Sequence, residues 1–155
     1  MRKQKLLTFG LMALLVMSII FISGCVQEES STKTPTMSVE EIKSSALTIS
    51  YDDLMRNNEN YVGEVAYYRG EVVQVSEIYG DKYVLRVATK QEPYIGYFKD
   101  VIWVNYKGKR LLEDDIIDVW GRVKGLKTYT AVLGNEITIP EIDSLHVELV
   151  IKAGE

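Results

Sequence analysis

The sequence predicts an all-β fold, a small barrel of five strands over residues 65–151. From residue 65 onward, β-branched and aromatic residues occur in short runs separated by turn residues, which is typical of strands. No helix-length pattern interrupts these runs. Two of them contain an internal glycine, Gly70 in YYRGEVVQV and Gly121 in IIDVWGRV. A glycine inside a strand marks a bulge or a tight bend, so the pair indicates a curved, closed sheet.

The five strands are expected at residues 65–78, 82–89, 101–106, 116–124 and 137–151. Gly80 and Asp81 form a two-residue hairpin signal between the first and second strands. Residues 125–135 are expected to be the loop after the fourth strand. Pro140 has no N–H to donate to a ladder, so it predicts an edge or a break within the fifth strand.

Two capping signals precede the strands. Ser50 and Asp53 are expected to start a short helix at residues 51–57, whose Leu54 and Met55 would face the barrel. Ser38 and Glu41 have the spacing of a second capping box. A five-stranded, partly open Greek-key barrel is the architecture of the OB fold, and the sequence predicts this fold with a short N-terminal helix.

The first 25 residues have the features of an export signal. Basic residues at positions 2, 3 and 5 precede an apolar run at residues 6–22, as in secretory signal peptides. The run ends in Ile22-Ser23-Gly24-Cys25, which resembles the lipobox of prokaryotic lipoproteins. This resemblance implies that residues 1–24 are cleaved and that Cys25 is lipidated. Retention of the run as a membrane anchor stays open, since it is near the length at which spanning begins.

Either outcome holds the rest of the chain on the extracytoplasmic face of a membrane, because the positive flank stays inside. We expect residues 25–47 to be a lipidated N-terminus with a flexible tether, and residues 48–151 to be the barrel. Cleavage removes three of the 18 basic residues and none of the 22 acidic ones, so the net charge falls from −4 to −7. An acidic surface argues against nucleic acid as a partner.

The strand pattern also resembles OB-fold domains of exported prokaryotic lipoproteins of unknown function. The resemblance covers residues 48–150 and rests on a long, glycine-kinked first strand, a hairpin and a third strand. It continues with a V-x-G-x-V fourth strand ending at Val123 and a closing P-x-I-x-x-x-x-V that starts at Pro140. It implies the fold and the address of the chain, but no ligand.

Catalytic and metal-binding patterns are weak. His146 is the only histidine, and Cys25 is the only cysteine, so the residues that most often build nucleophilic or zinc sites are scarce. The acidic cluster at residues 113–115 does not have the spacing of a calcium loop and is expected to be a solvated turn. We therefore predict no cofactor and a binding module in place of an enzyme.

Strand alternation places candidate binding residues on the outer face of the second and third strands. Leu85 and Ile102 are expected to face inward, which directs Arg86 and Trp103 outward. An aromatic ring beside an arginine can stack a base, a sugar or a peptide side chain. The alternative is that Trp103, and likewise Trp120 on the fourth strand, is covered by the N-terminal helix or a loop.

Loops supply the remaining candidates, since loops often carry function. Tyr94, Tyr97 and Phe98 lie in the expected loop at residues 91–100, where they either contact a ligand or cap the end of the barrel. Tyr129 lies in the expected loop after the fourth strand. The favoured interpretation is a lipid-anchored binding module for a protein or an envelope glycan. Single-stranded nucleic acid is the alternative ligand, and an enzyme is less favoured.

Overall fold

The computed structural model describes residues 37–91 and 98–154, which belong to one compact unit, Thr36–Glu155. The signal segment and Cys25 lie outside the described residues. Two short helices, a 3-10 turn and five strands follow one another: α1 (Val39–Ser45), α2 (Tyr51–Asn57), the 3-10 turn (Asn58–Asn60), β1 (Val65–Tyr79), β2 (Lys82–Gln91), β3 (Phe98–Lys107), β4 (Ile116–Thr130) and β5 (Glu136–Ile151). None of the helices in these ranges is long and apolar enough to span a membrane.

The strands form one closed sheet in the order β1-β2-β3-β5-β4. The first half of β1 pairs with β4 and its second half pairs with β2, because this long strand curls from one neighbour to the other. Closure between β3 and β5 is parallel and short, from Trp103 opposite Glu141 to Asn105 opposite Asp143. The predicted mostly-β chain with five strands in one closed sheet is therefore confirmed.

The core fills the inside of this closed sheet. Leu85 and Ile102, which were expected to face inward from β2 and β3, are fully buried. Helix α2, which begins at the predicted Ser50 cap, contributes Leu54 with no exposed surface. Full burial of a leucine or isoleucine side chain contributes about 1.5–3 kcal/mol, so this interior is the main source of stability.

Gly70 and Gly121 lie where neighbouring strands pass closest. A Cβ added to Gly70 would lie 2.5 Å from the carbonyl oxygen of Ala88 on β2, and one added to Gly121 would lie 2.7 Å from that of Asp143 on β5. The β4–β5 register also shifts between Trp120 and Gly121. The two glycines therefore permit the close strand approach that closes the sheet.

Strand β4 is six residues longer than predicted. It continues through Gly125 to Thr130, and only residues 131–135 form the loop to β5. Gly125 has a φ of 115° at a register shift between Val123 and Gly125, so it forms a bulge within the strand where the sequence suggested its end. The prediction of a loop over residues 125–135 was wrong for its first half.

Pro140 does not break β5. Pairing with β4 continues on both sides of it, whereas pairing with β3 begins only at the next residue, Glu141. Pro140 thus lies where β5 has a neighbouring strand on one side only. Of the two predicted alternatives, an edge or a break, the edge position is therefore correct.

Helix α1 lies within residues 25–47, the range expected to be a tether. Ser38 caps it in the predicted capping box with Glu41, and its one buried residue, Ile42, packs against Trp120. Trp120 points outward from β4 as predicted but is only 8% exposed, because α1 covers it. The folded part of the chain therefore begins before residue 48.

The acidic turn at residues 113–115 is not fully solvated, which corrects the expectation. Asp115 is 4% exposed, and its carboxylate accepts hydrogen bonds from the backbone N–H groups of Leu112 and Ala153, at 2.8 and 2.9 Å. This buried carboxylate links the turn before β4 to the residues that follow β5.

Candidate functional site

The outer face of β1, β2 and β3 brings together side chains from three strands. Cross-strand pairing places Gln74 opposite Arg86 and Arg86 opposite Trp103, so the three lie in one row. Because β4 extends to Thr130, the β4–β5 hairpin carries Tyr129 to the same place. Tyr129 lies on a strand and not in the loop expected for it.

Tyr129 contacts both Arg86 and Trp103, and all three side chains are partly exposed. The Nη1 atom of Arg86 donates a hydrogen bond to the Tyr129 hydroxyl at 2.8 Å, and the guanidinium carbon lies 5.3 Å from the Tyr129 ring centroid. The Trp103 and Tyr129 ring centroids are 5.3 Å apart, with an interplanar angle of 46°. Lys127 lies over the other ring, with Nζ 5.7 Å from the Trp103 centroid.

A polar network fixes the Trp103 ring. Its Nε1 atom donates to Oδ1 of Asn105 at 3.0 Å, and Nδ2 of Asn105 donates to Glu141 and Asp143 at 2.9 and 2.8 Å. Lys124 forms an ion pair with Asp143 at 3.2 Å. The orientation of Trp103 is therefore set by groups on β3 and β5, which keeps the ring in place before any ligand arrives.

A groove of about 480 Å³ is lined by Arg86, Trp103 and Tyr129. Gln74, Ser76, Val84 and residues of the β4–β5 loop complete its lining. A second groove of about 340 Å³ shares Val84 with the first and runs toward Lys82 and Ile78. Strongly exposed apolar side chains line each groove: Val132 and Leu133 of the β4–β5 loop line the larger one, and Ile78 near the end of β1 lines the smaller one. The two grooves therefore adjoin at Val84 on the outer face, and we call them together the trough.

Arg86 is the only charged residue among the twelve that line the larger groove. Arg86 and Lys127 form no ion pair within residues 37–91 and 98–154. Both cations thus lie beside exposed aromatic rings without a carboxylate partner in that part of the chain. The arrangement can stack a flat or apolar group and bind an anionic one.

The other predicted site residues fall outside this description. Tyr94 and Tyr97 lie outside the described residues, and so does the side chain of Phe98. Gln74, Ser76 and the loop residues Val132 and Leu133 were not predicted as part of the site. The apolar pair before Gly134-Asn135, at a turn, was the signal in the sequence that could have indicated the loop.

A second aromatic cluster lies under α1. Trp120 packs between Tyr67 and His146, with centroid distances of 5.1 and 5.5 Å. Next to it, Arg69 donates two hydrogen bonds to Asp118, at 2.7 and 2.6 Å. Hydrogen bonding from Arg69 lowers the pKa of the Asp118 carboxyl, against the opposing effect of burial. Because α1 covers this cluster, we assign the cluster to the packing of α1 against the sheet.

Among the described residues, no group of three or more His, Cys, Asp or Glu side chains is placed to hold a metal ion.

Comparisons with known proteins give little beyond this. No protein-family model matches the sequence, and no curated protein matches it. A solved structure described as OBody AM3L09 bound to hen egg-white lysozyme is 15% identical, covering 70% of this chain and 100% of that chain with a TM-score of 0.46. A putative aspartyl-tRNA synthetase from Leishmania major Friedlin is 13% identical, covering 71% of this chain and 22% of that chain with a TM-score of 0.45.

Proposed function

We propose that this chain is a lipid-anchored, extracytoplasmic binding module with an OB fold, whose ligand site is the groove around Arg86, Trp103 and Tyr129. The ligand classes are a protein or an envelope glycan. The lipid would be attached to the thiol of Cys25, which would then become the N-terminus when residues 1–24 are cleaved. This part of the proposal rests on the resemblance of Ile22-Ser23-Gly24-Cys25 to a lipobox.

Strand order supports the OB-fold assignment. A five-stranded Greek-key barrel of this kind has a long first strand shared between two neighbours, and the order β1-β2-β3-β5-β4 has that property. In OB folds the faces of strands two and three, with the loops after strands one and four, bind the ligand. The groove lies over β2 and β3 and is bordered by the β4–β5 loop.

The observation that carries the proposal is the contact of an arginine, a tryptophan and a tyrosine at a partly exposed groove. Aromatic rings with a guanidinium are the groups that most often dominate the binding energy of an interface. Trp103 is held by Asn105 and is therefore preorganised, which lowers the entropy cost of binding.

Affinity capture tests the binding site. Solubilised envelope material, analysed for both proteins and glycans, is passed over the full chain in detergent micelles, over Trp103→Leu and over Lys152→Gln. We expect a component that wild type and the Lys152 variant retain and that Trp103→Leu loses. Equal retention by all three chains, or none by wild type, would overturn the proposed site.

Lipid attachment is tested separately. The intact mass of the wild-type chain should begin at Cys25 and include a diacylglyceryl group, whereas Cys25→Ser should carry no lipid and should keep residues 1–24, because lipidation of the thiol precedes cleavage. A wild-type chain that retains residues 1–24 would instead be anchored by the apolar run.

A further inference from the structure

We propose that the trough on the outer face takes an extended acidic polypeptide segment, in which an apolar side chain lies between two carboxylates. This inference rests on the proposed function, because it names the class of partner for the same groove. It is carried by the positions of two cations and of one apolar residue along β2.

Arg86 and Lys82 mark the two ends of the trough. Arg86 lines the larger groove and Lys82 the smaller one. Arg86 donates one hydrogen bond, to Tyr129, which leaves most of its five N–H donors for a ligand. Neither side chain forms an ion pair with another residue of the described ranges. Each end of the trough therefore presents a cation to an incoming anion.

Carboxylates near the trough already have partners. Asp143, which lines the smaller groove, accepts from Asn105 and pairs with Lys124, while Lys107 of the same lining pairs with Asp81 at 3.7 Å. The chain as a whole is acidic, with a net charge of −4 that becomes −7 on cleavage at Cys25. Free cations on an acidic surface select an anionic ligand for this face, while the remaining surface repels the same ligand.

Val84 lies between the two cations and lines both grooves. The exposed apolar side chains Val132 and Leu133 border one end, and Ile78 borders the other. A polypeptide offers aliphatic or aromatic side chains to such a surface. Polar side chains such as Gln74, Ser76 and Asn135 also line the larger groove, but apolar atoms form most of the exposed lining of both grooves. The lining therefore favours a protein segment over a sugar chain.

The distance between Lys82 and Arg86 along β2 determines how far apart the two carboxylates of the segment should be. Residues 82 and 86 are four apart on one strand, which corresponds to about 13 Å at the rise of a β-strand. An extended peptide covers that distance in four residues, so its two carboxylates would be at positions i and i+4, with an apolar side chain between them.

Selection from a random-sequence octapeptide library displayed on phage tests this inference. The full chain in detergent micelles is the bait, beside Arg86→Gln, Lys82→Gln and the matched control Lys152→Gln, which removes an exposed lysine outside the trough. We expect wild type and the control to enrich peptides with Asp or Glu flanking an apolar residue. The strongest such peptide should bind Arg86→Gln at least ten-fold more weakly, with a smaller loss for Lys82→Gln.

Enrichment of neutral or basic peptides, or of no peptide, would overturn the inference, and so would equal binding by Arg86→Gln. A parallel array of uronate-containing oligosaccharides separates the two proposals. Oligosaccharide binding that depends on Trp103 would uphold the binding groove and reject the peptide. Loss of every ligand in both arms would reject the groove itself.

Discussion

Arg86 and Tyr129 are 43 positions apart in the chain, yet the guanidinium donates to the tyrosine hydroxyl at 2.8 Å and lies over its ring. Arg86 is on β2 and Tyr129 is on the far end of β4, so this contact joins the outer face of the sheet to the β4–β5 hairpin. The contact, with Trp103 beside it, brings together side chains from β2 and β4, two strands that do not pair with each other.

The two tryptophans should differ sharply in what they contribute to stability. Trp103→Leu should leave the melting temperature within about 3 °C of wild type, since partly exposed positions outside the core usually change stability little. Trp120→Leu, at a position that is 8% exposed, should cost about 2–4 kcal/mol because it leaves a cavity under α1. Thermal unfolding followed by circular dichroism measures both. A Trp103→Leu chain that does not fold would show that Trp103 is needed for the fold and would contradict its assignment to the groove.

Alanine at the strand-crossing glycines should destabilise the closed sheet. Gly70→Ala and Gly121→Ala each force a Cβ against the backbone of a neighbouring strand, which should cost about 1–3 kcal/mol. Gly80→Asn is the control, because its φ of 58° suits Asn and nothing lies within 4 Å of an added Cβ. In urea unfolding, the free energy of unfolding of the control should be close to that of wild type. An unchanged free energy of unfolding for Gly121→Ala would contradict the close approach of β4 and β5.

Stability should depend on the ionisation of Asp118. Its pKa is lowered in the folded chain by hydrogen bonding from Arg69, so the contribution is present above the unfolded value of about 3.9 and is lost as pH falls through the folded pKa. Asp118→Asn should cost about 1 kcal/mol at pH 7, a modest figure because Arg69 is more than half exposed. Urea unfolding at pH 7 and pH 3 measures this. A difference from wild type that stays constant between the two pH values would contradict the assignment.

Helix α1 should detach from the sheet when Ile42, its one buried side chain, is replaced by a polar residue. The chain has two tryptophans, so Trp103→Phe leaves Trp120 as the one tryptophan. Its fluorescence emission then reports whether α1 covers it. Ile42→Ser should shift that emission to the red, whereas Val39→Ser, at an exposed position on the same helix, should not. Equal spectra for the two variants would show that Ile42 does not hold α1 in place.

Strand content and the inward faces followed from the sequence because alternation is a local property. Leu85, Val87, Ile102 and Val104 are buried, as their spacing predicted. The end of β4 was missed because a glycine at positive φ has the same sequence signature in a bulge as in a loop, and only the pairing with β5 distinguishes them.

The site was only partly predictable for a related reason. Arg86 and Trp103 follow from alternation within β2 and β3, but their contact with Tyr129 depends on how far the β4–β5 hairpin extends. The cover over Trp120 depends on a seven-residue helix with one buried side chain, which is too weak a pattern to place by sequence. Contacts between distant parts of the chain decided both outcomes.

Photo-crosslinking in the native cells tests the central claim most directly. Benzoylphenylalanine replaces Tyr129 at the groove, or Arg56 on the exposed side of α2 as the control. Light should produce a crosslinked partner from position 129 that is lost when Trp103→Leu is added, and none from position 56. The same products from both positions, or no product from position 129, would contradict a binding site at Arg86, Trp103 and Tyr129.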